Sequence, residues 1–501
     1  MWNGVDPVTR AALATGIVQS WLQQASQFTP QQFYAGGWTT PTAVPVPGGN
    51  AYDGVFPDWV WYMIPRFTFI GVDPSIVAQL AAWAQTIWPN ADWTADLDAT
   101  CSWQNNQPNT YILCALAQNA PVPDTFQATY TELQGYISAF QSTINASWNG
   151  SKGNTLWSAD ALNANCNNGL KLLKLGNAAQ TEVNALKGLG VKAVTVCIAF
   201  PILDQDFYTF NGDPGDYASI LAFYQAEAAA IHGAGLKMIV EASTVDPGTS
   251  GMNVTGYYAS LSDDQFTTGR QQNALTIAQV VKPDYINLNT EPQTDLVNTG
   301  KTNEYGNAAG YTAMNQSIIS GLHAAGVTIP VGCGVDTWER DPTWVTDTLA
   351  IAGLDFFDLH TYPVNLGLYL PRLIKYTDMA IAANIPVGVS EAWELKESDT
   401  EWSDQALPVS AVYARDSFSF WAPLDQAMLT SLVDFANWKG LVYMSAFWSR
   451  YLWAYLDYAT VGSLPPAQVT SMAQRAASAA LAADQTTITG LTYRNLIQGV
   501  P

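Results

Sequence analysis

The sequence predicts an α/β fold in which eight parallel strands close into a (β/α)8 barrel, preceded by a mainly helical extension. From about residue 155 onward, short apolar runs rich in β-branched residues follow helical stretches that end in Gly-containing turns. Continuous apolar strands that alternate with amphipathic helices indicate a parallel sheet. Eight such units over roughly 350 residues match a closed barrel with loop insertions.

The helix-to-strand passages can be placed one by one. Residues 155–161 form the first predicted strand, and seven further apolar runs follow helices, at 191–200, 236–243, 284–292, 327–335, 354–363, 386–393 and 440–448. A doubly wound open sheet is the competing fold. It normally carries a Gly-rich phosphate turn after its first strand, and the sequence has none. The closed barrel is therefore preferred.

The first 150 residues differ from the rest. They contain predicted helices at Pro7–Gln24, Asp73–Trp88 and Thr125–Ile144, separated by Gly- and Pro-rich loops without strand–helix alternation. A polar run at residues 149–154 suggests a boundary. We expect an extension at 1–150 and a catalytic barrel at 151–501, and the extension could cap a cleft, bind polymer or mediate assembly.

Composition restricts the partners of this acidic protein. The net charge is −22, with only 20 Lys and Arg among 501 residues. Proteins that bind nucleic acid need clustered basic residues, so we expect no nucleic-acid partner. Neutral polymers remain, because 19 Trp and 23 Tyr offer flat apolar faces to sugar rings, although most of these rings are expected to pack in the core.

Cysteine usage and hydropathy bear on location. No run of about 18 apolar residues occurs, so we expect no membrane span. The start lacks a signal-peptide pattern, but sequons at Asn145, Asn149, Asn253 and Asn315 fit an extracellular protein. No CxxC spacing indicates a zinc or redox site, and Cys101 and Cys114 could close a short disulfide loop. We expect the protein to be secreted, and its oligomeric state is not predicted.

Polar residues at the strand ends are the candidates for chemistry, because barrel active sites lie at the C-terminal ends of strands. The fourth run ends in Asn289-Thr290-Glu291, the sixth in His360-Thr361-Tyr362, the seventh in Ser390-Glu391-Ala392-Trp393 and the eighth in Phe447-Trp448. Two carboxylates at the mouths of strands four and seven face each other across a barrel. Retaining glycosidases need such a pair about 5–5.5 Å apart, one protonated and one ionised.

In order and spacing these motifs resemble clan A glycoside hydrolases over residues 155–480. The resemblance implies that Glu291 is the general acid/base and Glu391 the nucleophile, that Tyr362 hydrogen-bonds the nucleophile, and that Trp448 is a sugar platform. That clan has Asn-Glu-Pro at strand four, whereas here Thr290 stands between Asn289 and Glu291. Either Thr290 takes the role of the family's Asn at the sugar 2-hydroxyl, or a local bulge restores it to Asn289.

Several neighbours of these motifs have two interpretations. Glu241 ends strand three and is the main rival to Glu291, or a residue that lines the cleft. Trp338 follows strand five and is expected to contact substrate, and Trp393 is expected to form a platform two residues beyond Glu391. Arg450 could be a cleft cation or the partner of a rim carboxylate.

The three histidines limit other chemistries. His232 and His323 lie near helix ends, where a cation complements the helix dipole, which leaves His360 as the single active-site imidazole. A His-based metal site is therefore not expected, and no GxSxG elbow supports a Ser-His-Asp triad. The sequence predicts a retaining β-glycosidase for β-glucan, galactan or mannan that uses no metal or cofactor. A non-catalytic carbohydrate-binding barrel and a transglycosylase with the same residues remain alternatives.

Overall fold

A computed structural model describes residues 121–162, 178–247, 252–483 and 485–499, together with Gln79 and the short strand Tyr111–Ile112. Eight parallel strands pair in sequence order, and the eighth pairs with the first, so the predicted closed barrel is confirmed. The strands are β1 Leu156–Asp160, β2 Ala193–Cys197, β3 Lys237–Glu241, β4 Tyr285–Asn287, β5 Val331–Asp336, β6 Phe356–Thr361, β7 Val387–Ala392 and β8 Tyr443–Ala446. Each lies at one of the predicted apolar runs.

Helices surround the barrel and connect its strands. The longer described helices are Asp124–Ser147, Ala178–Leu189, Asp216–Gly233, Asp263–Thr276, Ala308–Ala324, Tyr369–Ala382, Ala422–Lys439, Pro466–Ala482 and Ile488–Gln498. The shorter ones are Gln205–Phe210, Val254–Ser260, Pro292–Thr299, Thr302–Tyr305, Thr343–Leu349, Asp399–Asp404, Val409–Arg415 and Arg450–Trp453. The segment Ile277–Val281 is a π-helix, and Asn365–Gly367 and Ser419–Trp421 are 3₁₀ turns. Gln485–Thr486 pairs in parallel with Tyr111–Ile112.

The chain divides into two compact units. Residues 107–456 and 465–501 form the unit that contains the barrel. Residues 457–464 belong with residues 1–106, and within this second unit the described short helix Tyr458–Val461 is capped by the side chain of Asp457, which accepts a hydrogen bond from the Ala459 amide.

Large side chains fill the floor of the barrel. Ala193, Ile239, Phe356 and Tyr443 form one fully buried cluster from four strands. Gly388 in β7 lies against Tyr443, and a Cβ at that glycine would come within 2.4 Å of the Tyr443 Cζ. The ring therefore needs a residue without a side chain beside it. The barrel interior is packed, as is usual for this architecture, and only its upper rim is open to chemistry.

The helix Asp124–Ser147 matches the helix predicted at Thr125–Ile144, which is confirmed with slightly wider bounds. It packs on the barrel helix Ala422–Lys439 through the rings of Phe140 and Phe435, whose centroids are 5.6 Å apart. The helices predicted at Pro7–Gln24 and Asp73–Trp88 lie outside the described residues apart from Gln79, and the boundary near residue 150 stays a prediction.

The cysteines and the hydropathy of the helices add two facts. Cys197 is disulfide-bonded, and Cys333 is a buried free thiol in β5. The bridge suggested between Cys101 and Cys114 lies outside the described residues. Among the helices that the structure describes, none is both long enough and apolar enough to cross a membrane.

Candidate active site

Four ionisable side chains from four different strands meet at the carboxyl end of the barrel. Glu241 is the last residue of β3, Glu291 lies four residues beyond β4, and His360 and Glu391 lie near the ends of β6 and β7. We call these four residues the imidazole cluster. The structure therefore brings together both proposed catalytic carboxylates, their sequence-predicted rival and the single candidate imidazole.

The ring of His360 lies at the centre of this imidazole cluster. Its Nδ1 is 2.9 Å from Oε1 of Glu291 and 3.4 Å from Oε2 of Glu391. On the other side of the ring, Nε2 is 2.9 Å from the Ser390 hydroxyl and 3.3 Å from Oε1 of Glu241. Three carboxylates thus lie within 3.4 Å of one imidazole, two at Nδ1 and one at Nε2, and Asp358 lies 3.8 Å from Nε2.

The hydrogen-bond partners indicate the protonation state of His360. The Ser390 hydroxyl donates its single proton to Oδ2 of Asp358, so it can only accept a hydrogen bond from Nε2. Nδ1 faces carboxylate oxygens, which are acceptors when ionised. Both ring nitrogens therefore face acceptors, and this arrangement favours the imidazolium.

The pKa values of the cluster follow from burial and from these charges. Burial of His360 opposes its charged form, but the carboxylates of Glu391, Glu241 and Glu291 outweigh it and raise its pKa well above the ordinary value. Burial also raises the pKa of Glu391, and the charges of Glu241 and Glu291 raise it further, while His360 and the hydrogen bond from Tyr362 act in the opposite direction. The pKa values of His360 and Glu391 therefore both depend on the charges that surround them in the cluster.

The two proposed catalytic carboxylates are close neighbours. Because both approach Nδ1 of His360, Oε1 of Glu291 and Oε2 of Glu391 can be no more than about 6.3 Å apart, the sum of the two distances. Retaining glycosidases hold their carboxyl groups about 5–5.5 Å apart, and inverting ones about 6.5–9.5 Å. The side chain of Glu291 is 21% exposed and that of Glu391 13%, against 4% for Glu241. Glu291 is the more open of the pair, and Glu241 lies deepest.

Aromatic side chains line the same region. The Tyr362 hydroxyl donates a hydrogen bond to Oε2 of Glu391, as predicted. The half-buried ring of Trp338 lies beside the ring of Tyr362, and their centroids are 6.1 Å apart. Trp448 is half-buried with φ at +66°, a left-handed backbone conformation that is unusual for a bulky residue. The guanidinium of Arg450 lies 4.3 Å from its ring centroid, so Arg450 stacks on Trp448.

Three sequence-predicted contact residues lie elsewhere. Asn289 is buried, and its amide donates a hydrogen bond to Asp295 behind the site, while the Thr290 hydroxyl donates to Asp358 at 2.8 Å. Both side chains are buried and donate to protein carboxylates, and the 2-hydroxyl role that the family resemblance implied stays a prediction for either residue. Trp393 is fully buried and its ring stacks on Tyr451 at 5.7 Å, so its expected role as an open platform is corrected.

A buried charged group lies behind Glu391. Glu394 is fully buried and lies 3.0 Å from Nζ of Lys396. The same Nζ is 2.6 Å from Oδ1 of Asp425, and all three side chains are fully buried. Glu394 is therefore a structural partner of Lys396 rather than a rival catalytic group.

Sequence reasoning missed Asp358, which lies beneath the imidazole cluster. Its Oδ2 accepts hydrogen bonds from the side chains of Asn287, Thr290 and Ser390, and its Oδ1 accepts one from Tyr443. The signal was present, because residues 358, 360 and 362 share one face of β6 by the two-residue period of a strand. Asp358 was overlooked because it precedes the strand end.

One group of metal-type donors occurs among the described residues. Ligand atoms of Glu241, His360 and Glu391 lie within 4.8 Å of one another. A metal-bound imidazole must be neutral and must offer a lone pair to the ion. His360 instead presents both nitrogens to acceptors, so this donor set suits a shared proton better than a metal ion.

The fold and the site together define a (β/α)8-barrel protein with a buried acid–base cluster at the carboxyl ends of its strands. Several solved structures are similar to this chain over part of their length. An exo-β-1,4-mannosidase from Opitutaceae bacterium strain TAV5 matches at 14% identity and a TM-score of 0.41, over 65% of this chain and 60% of that one. A Cellulomonas fimi endo-β-1,4-mannanase double mutant matches at 11% identity and a TM-score of 0.38, over 69% of this chain and 74% of that one.

A β-glucosidase from Exiguobacterium marinum matches at 11% identity and a TM-score of 0.39, over 64% of this chain and 86% of that one. No protein-family model and no curated protein matches the sequence. At these identities and scores the similarities carry no argument about activity. The functional argument depends on the residues of the site itself.

Proposed function

We propose that this protein is a retaining glycoside hydrolase of the clan A type that cleaves β-linked glycans by double displacement. The observation that carries the proposal is the approach of Glu291 and Glu391 to the same nitrogen of His360, at 2.9 and 3.4 Å. This convergence limits the separation of the two carboxylates to a value that suits a retaining mechanism.

The surroundings of the two carboxylates assign their roles. Glu391 lies deeper, on a barrel strand, and accepts a hydrogen bond from Tyr362, which stabilises its ionised form. We assign it as the nucleophile that attacks the anomeric carbon. Glu291 lies beyond its strand and is more exposed, so it can reach the oxygen of the departing group. It protonates that oxygen, and then takes a proton from the water that releases the sugar.

For the substrate we propose a neutral β-linked glycan such as a glucan, galactan or mannan. The net charge of −22 and three carboxylates at one site disfavour polyanionic polymers. Trp338 and Trp448 are half-buried beside the cluster and can stack on sugar rings. Double displacement by two carboxyl groups requires no metal or organic cofactor. We also propose secretion, because disulfides such as that of Cys197 persist mainly in oxidising compartments.

Mechanism-based labelling tests the assignment. The protein is incubated with 2,4-dinitrophenyl 2-deoxy-2-fluoro-β-glycosides of glucose, galactose and mannose, and the labelled peptide is located by mass spectrometry. We expect one sugar on Glu391 and none in Glu391→Gln. Glu401→Gln is the matched control, because Glu401 caps a helix and pairs with Arg415 away from the cluster. It should label normally.

Chemical rescue tests the acid/base. Glu291→Ala should be slow to release the sugar, and azide should restore the rate and give a β-glycosyl azide. Intact sugar binding without labelling at Glu391 would contradict catalysis and favour the non-catalytic carbohydrate-binding barrel. Transfer of the sugar to an added oligosaccharide in preference to water would instead identify a transglycosylase.

A further inference from the structure

Glu241 is a buried carboxylate that the double displacement does not use. Its side chain is 4% exposed, and its Oε1 has no hydrogen-bond partner although it lies 3.3 Å from Nε2 of His360. An ionised group in such a place is costly unless a charge of opposite sign compensates it. The imidazolium of His360 is the nearest such charge.

We propose that Glu241 is a positioning residue, which acts by holding the His360 ring protonated and fixed between Glu291 and Glu391. This inference rests on the proposed glycosidase function. Glu241 occupies the Nε2 side of the ring, whereas both catalytic carboxylates occupy the Nδ1 side. The ring is thereby held from opposite sides.

The chemistry of double displacement explains why a third carboxylate is useful. Double displacement requires an ionised Glu391 and a protonated Glu291 in the free enzyme. In the glycosyl-enzyme Glu391 is a neutral ester and Glu291 has given its proton to the leaving group. The carboxylate that faces Nδ1 of His360 thus alternates between the two, while Glu241 at Nε2 takes part in neither step. The imidazolium keeps one constant partner while its other partner changes.

Other charged and titratable groups face the cluster from the surrounding strands and loops. They are Asp160 of β1, Asp295 in the helix after β4, Asp336 of β5, Asp358 and Tyr362 of β6 and its loop, Tyr413, and Tyr443 of β8. Among these, Asp358 lies 3.8 Å from Nε2 of His360, but its Oδ2 already accepts three side-chain hydrogen bonds. Glu241 is therefore the carboxylate with capacity left for the ring.

The sign of the effect is determined by charge. Removing the negative charge of Glu241 lowers the pKa of both His360 and Glu391, because that charge raises both. Loss of activity on the acidic side reports protonation of Glu391, and loss on the alkaline side reports deprotonation of His360. In Glu241→Gln both limbs of the kcat/KM profile should therefore move to lower pH, by about one unit.

The test measures kcat/KM against pH for the wild type, Glu241→Gln and Glu241→Asp on the aryl β-glycoside that labels best. We expect both limbs to shift downward in Glu241→Gln and to return toward the wild-type positions in Glu241→Asp. A uniform loss of rate with unmoved limbs would show a merely structural role and overturn the proposal, as would an unchanged profile.

A second readout does not need activity. The chain has three histidines, so the ¹⁵N imidazole signals of labelled protein can be assigned with His232→Gln and His323→Gln. In the wild type we expect His360 to be an imidazolium at pH 7, and to titrate at lower pH in Glu241→Gln. A His360 that is neutral at pH 7 in the wild type overturns the proposal, even if Glu241→Gln fails to fold. If no glycoside reacts or labels Glu391, the glycosidase function is refuted. The ¹⁵N titration of His360 would still determine the charge of its ring, so the two proposals can fail separately.

Discussion

Replacement of Tyr362 by Phe removes one hydrogen bond from the proposed nucleophile and nothing else. The Tyr362 hydroxyl donates to Oε2 of Glu391, and the residue is only 8% exposed, so water does not readily replace it. Hydrogen bonds to charged groups contribute about 1.5–3 kcal/mol, which corresponds to a loss of about 10- to 150-fold in kcat/KM. Because the bond stabilises the ionised carboxylate, its removal raises the pKa of Glu391.

The acidic limb of the kcat/KM profile of Tyr362→Phe should therefore move to higher pH, opposite in direction to the shift expected for Glu241→Gln. The assay is initial-rate kinetics on an aryl β-glycoside from pH 3 to 9. Tyr493→Phe is the matched control, because its buried hydroxyl donates at 2.6 Å to the Ser158 carbonyl, away from the cluster. An acidic limb that stays in place or moves downward in Tyr362→Phe would refute the assigned hydrogen bond.

The remaining predictions concern stability and substrate binding. Lys396→Met should lower the free energy of unfolding by about 3–5 kcal/mol, since it leaves Asp425 and Glu394 buried without a cation. Burial raises the pKa of Glu394 and the charge of Lys396 opposes this rise. The loss of stability should therefore be largest at neutral pH and shrink as the pH falls toward the pKa of a glutamate in the unfolded chain, about 4.3. Urea unfolding at pH 5 and pH 7.5 measures this difference, and equal losses at the two pH values would contradict it. Trp338→Ala should raise KM for oligosaccharides about fivefold, from about 1 kcal/mol of ring stacking, with little change in unfolding. Trp393→Ala should instead lower the free energy of unfolding by about 3–5 kcal/mol and leave KM unchanged in the folded protein, because Trp393 is fully buried. Isothermal titration with oligosaccharide, together with urea unfolding, distinguishes the binding effect of Trp338→Ala from the stability effect of Trp393→Ala.

The barrel could be predicted from the sequence because each strand is buried on both faces. β2, for example, is Ala-Val-Thr-Val-Cys with every residue buried, and it follows a helix that ends at Leu189, directly before Gly190 with its positive φ. Apolar runs of this kind that alternate with helices indicate the buried strands of a parallel sheet. The helix at Thr125–Ile144 was also predictable, because its buried residues recur at helical spacing.

The direction of individual side chains was less accessible. Asn289 and Thr290 adjoin Glu291 in sequence, yet their side chains turn to Asp295 and Asp358. Asp295 lies 6 residues from Asn289 along the chain, and Asp358 lies 68 residues from Thr290. The direction of the backbone after β4 determines which acceptor each side chain reaches. Trp393 shows the same limit, because a Trp next to a strand end packs outward or inward according to partners such as Tyr451.

The role of Glu241 was open for a similar reason. A carboxylate at a strand end predicts a place at the barrel mouth, but not its depth. Only the structure shows that Glu241 lies on the far side of the His360 ring from Glu291 and Glu391. Asp358 lies within its strand and not at the strand end, so its position in the sequence does not distinguish it from a core residue.

The position of Asp358 has a consequence for how this scaffold tolerates change. The Asp358 carboxylate belongs to the sixth strand and accepts side-chain hydrogen bonds from residues of the fourth, seventh and eighth strands. Asp358 thus anchors Ser390 next to Glu391, and Thr290 next to Glu291, to the frame of the barrel. Grafting different loops onto the rim, with the loop that carries Glu291 retained, should therefore leave the spacing of the two glutamates unchanged.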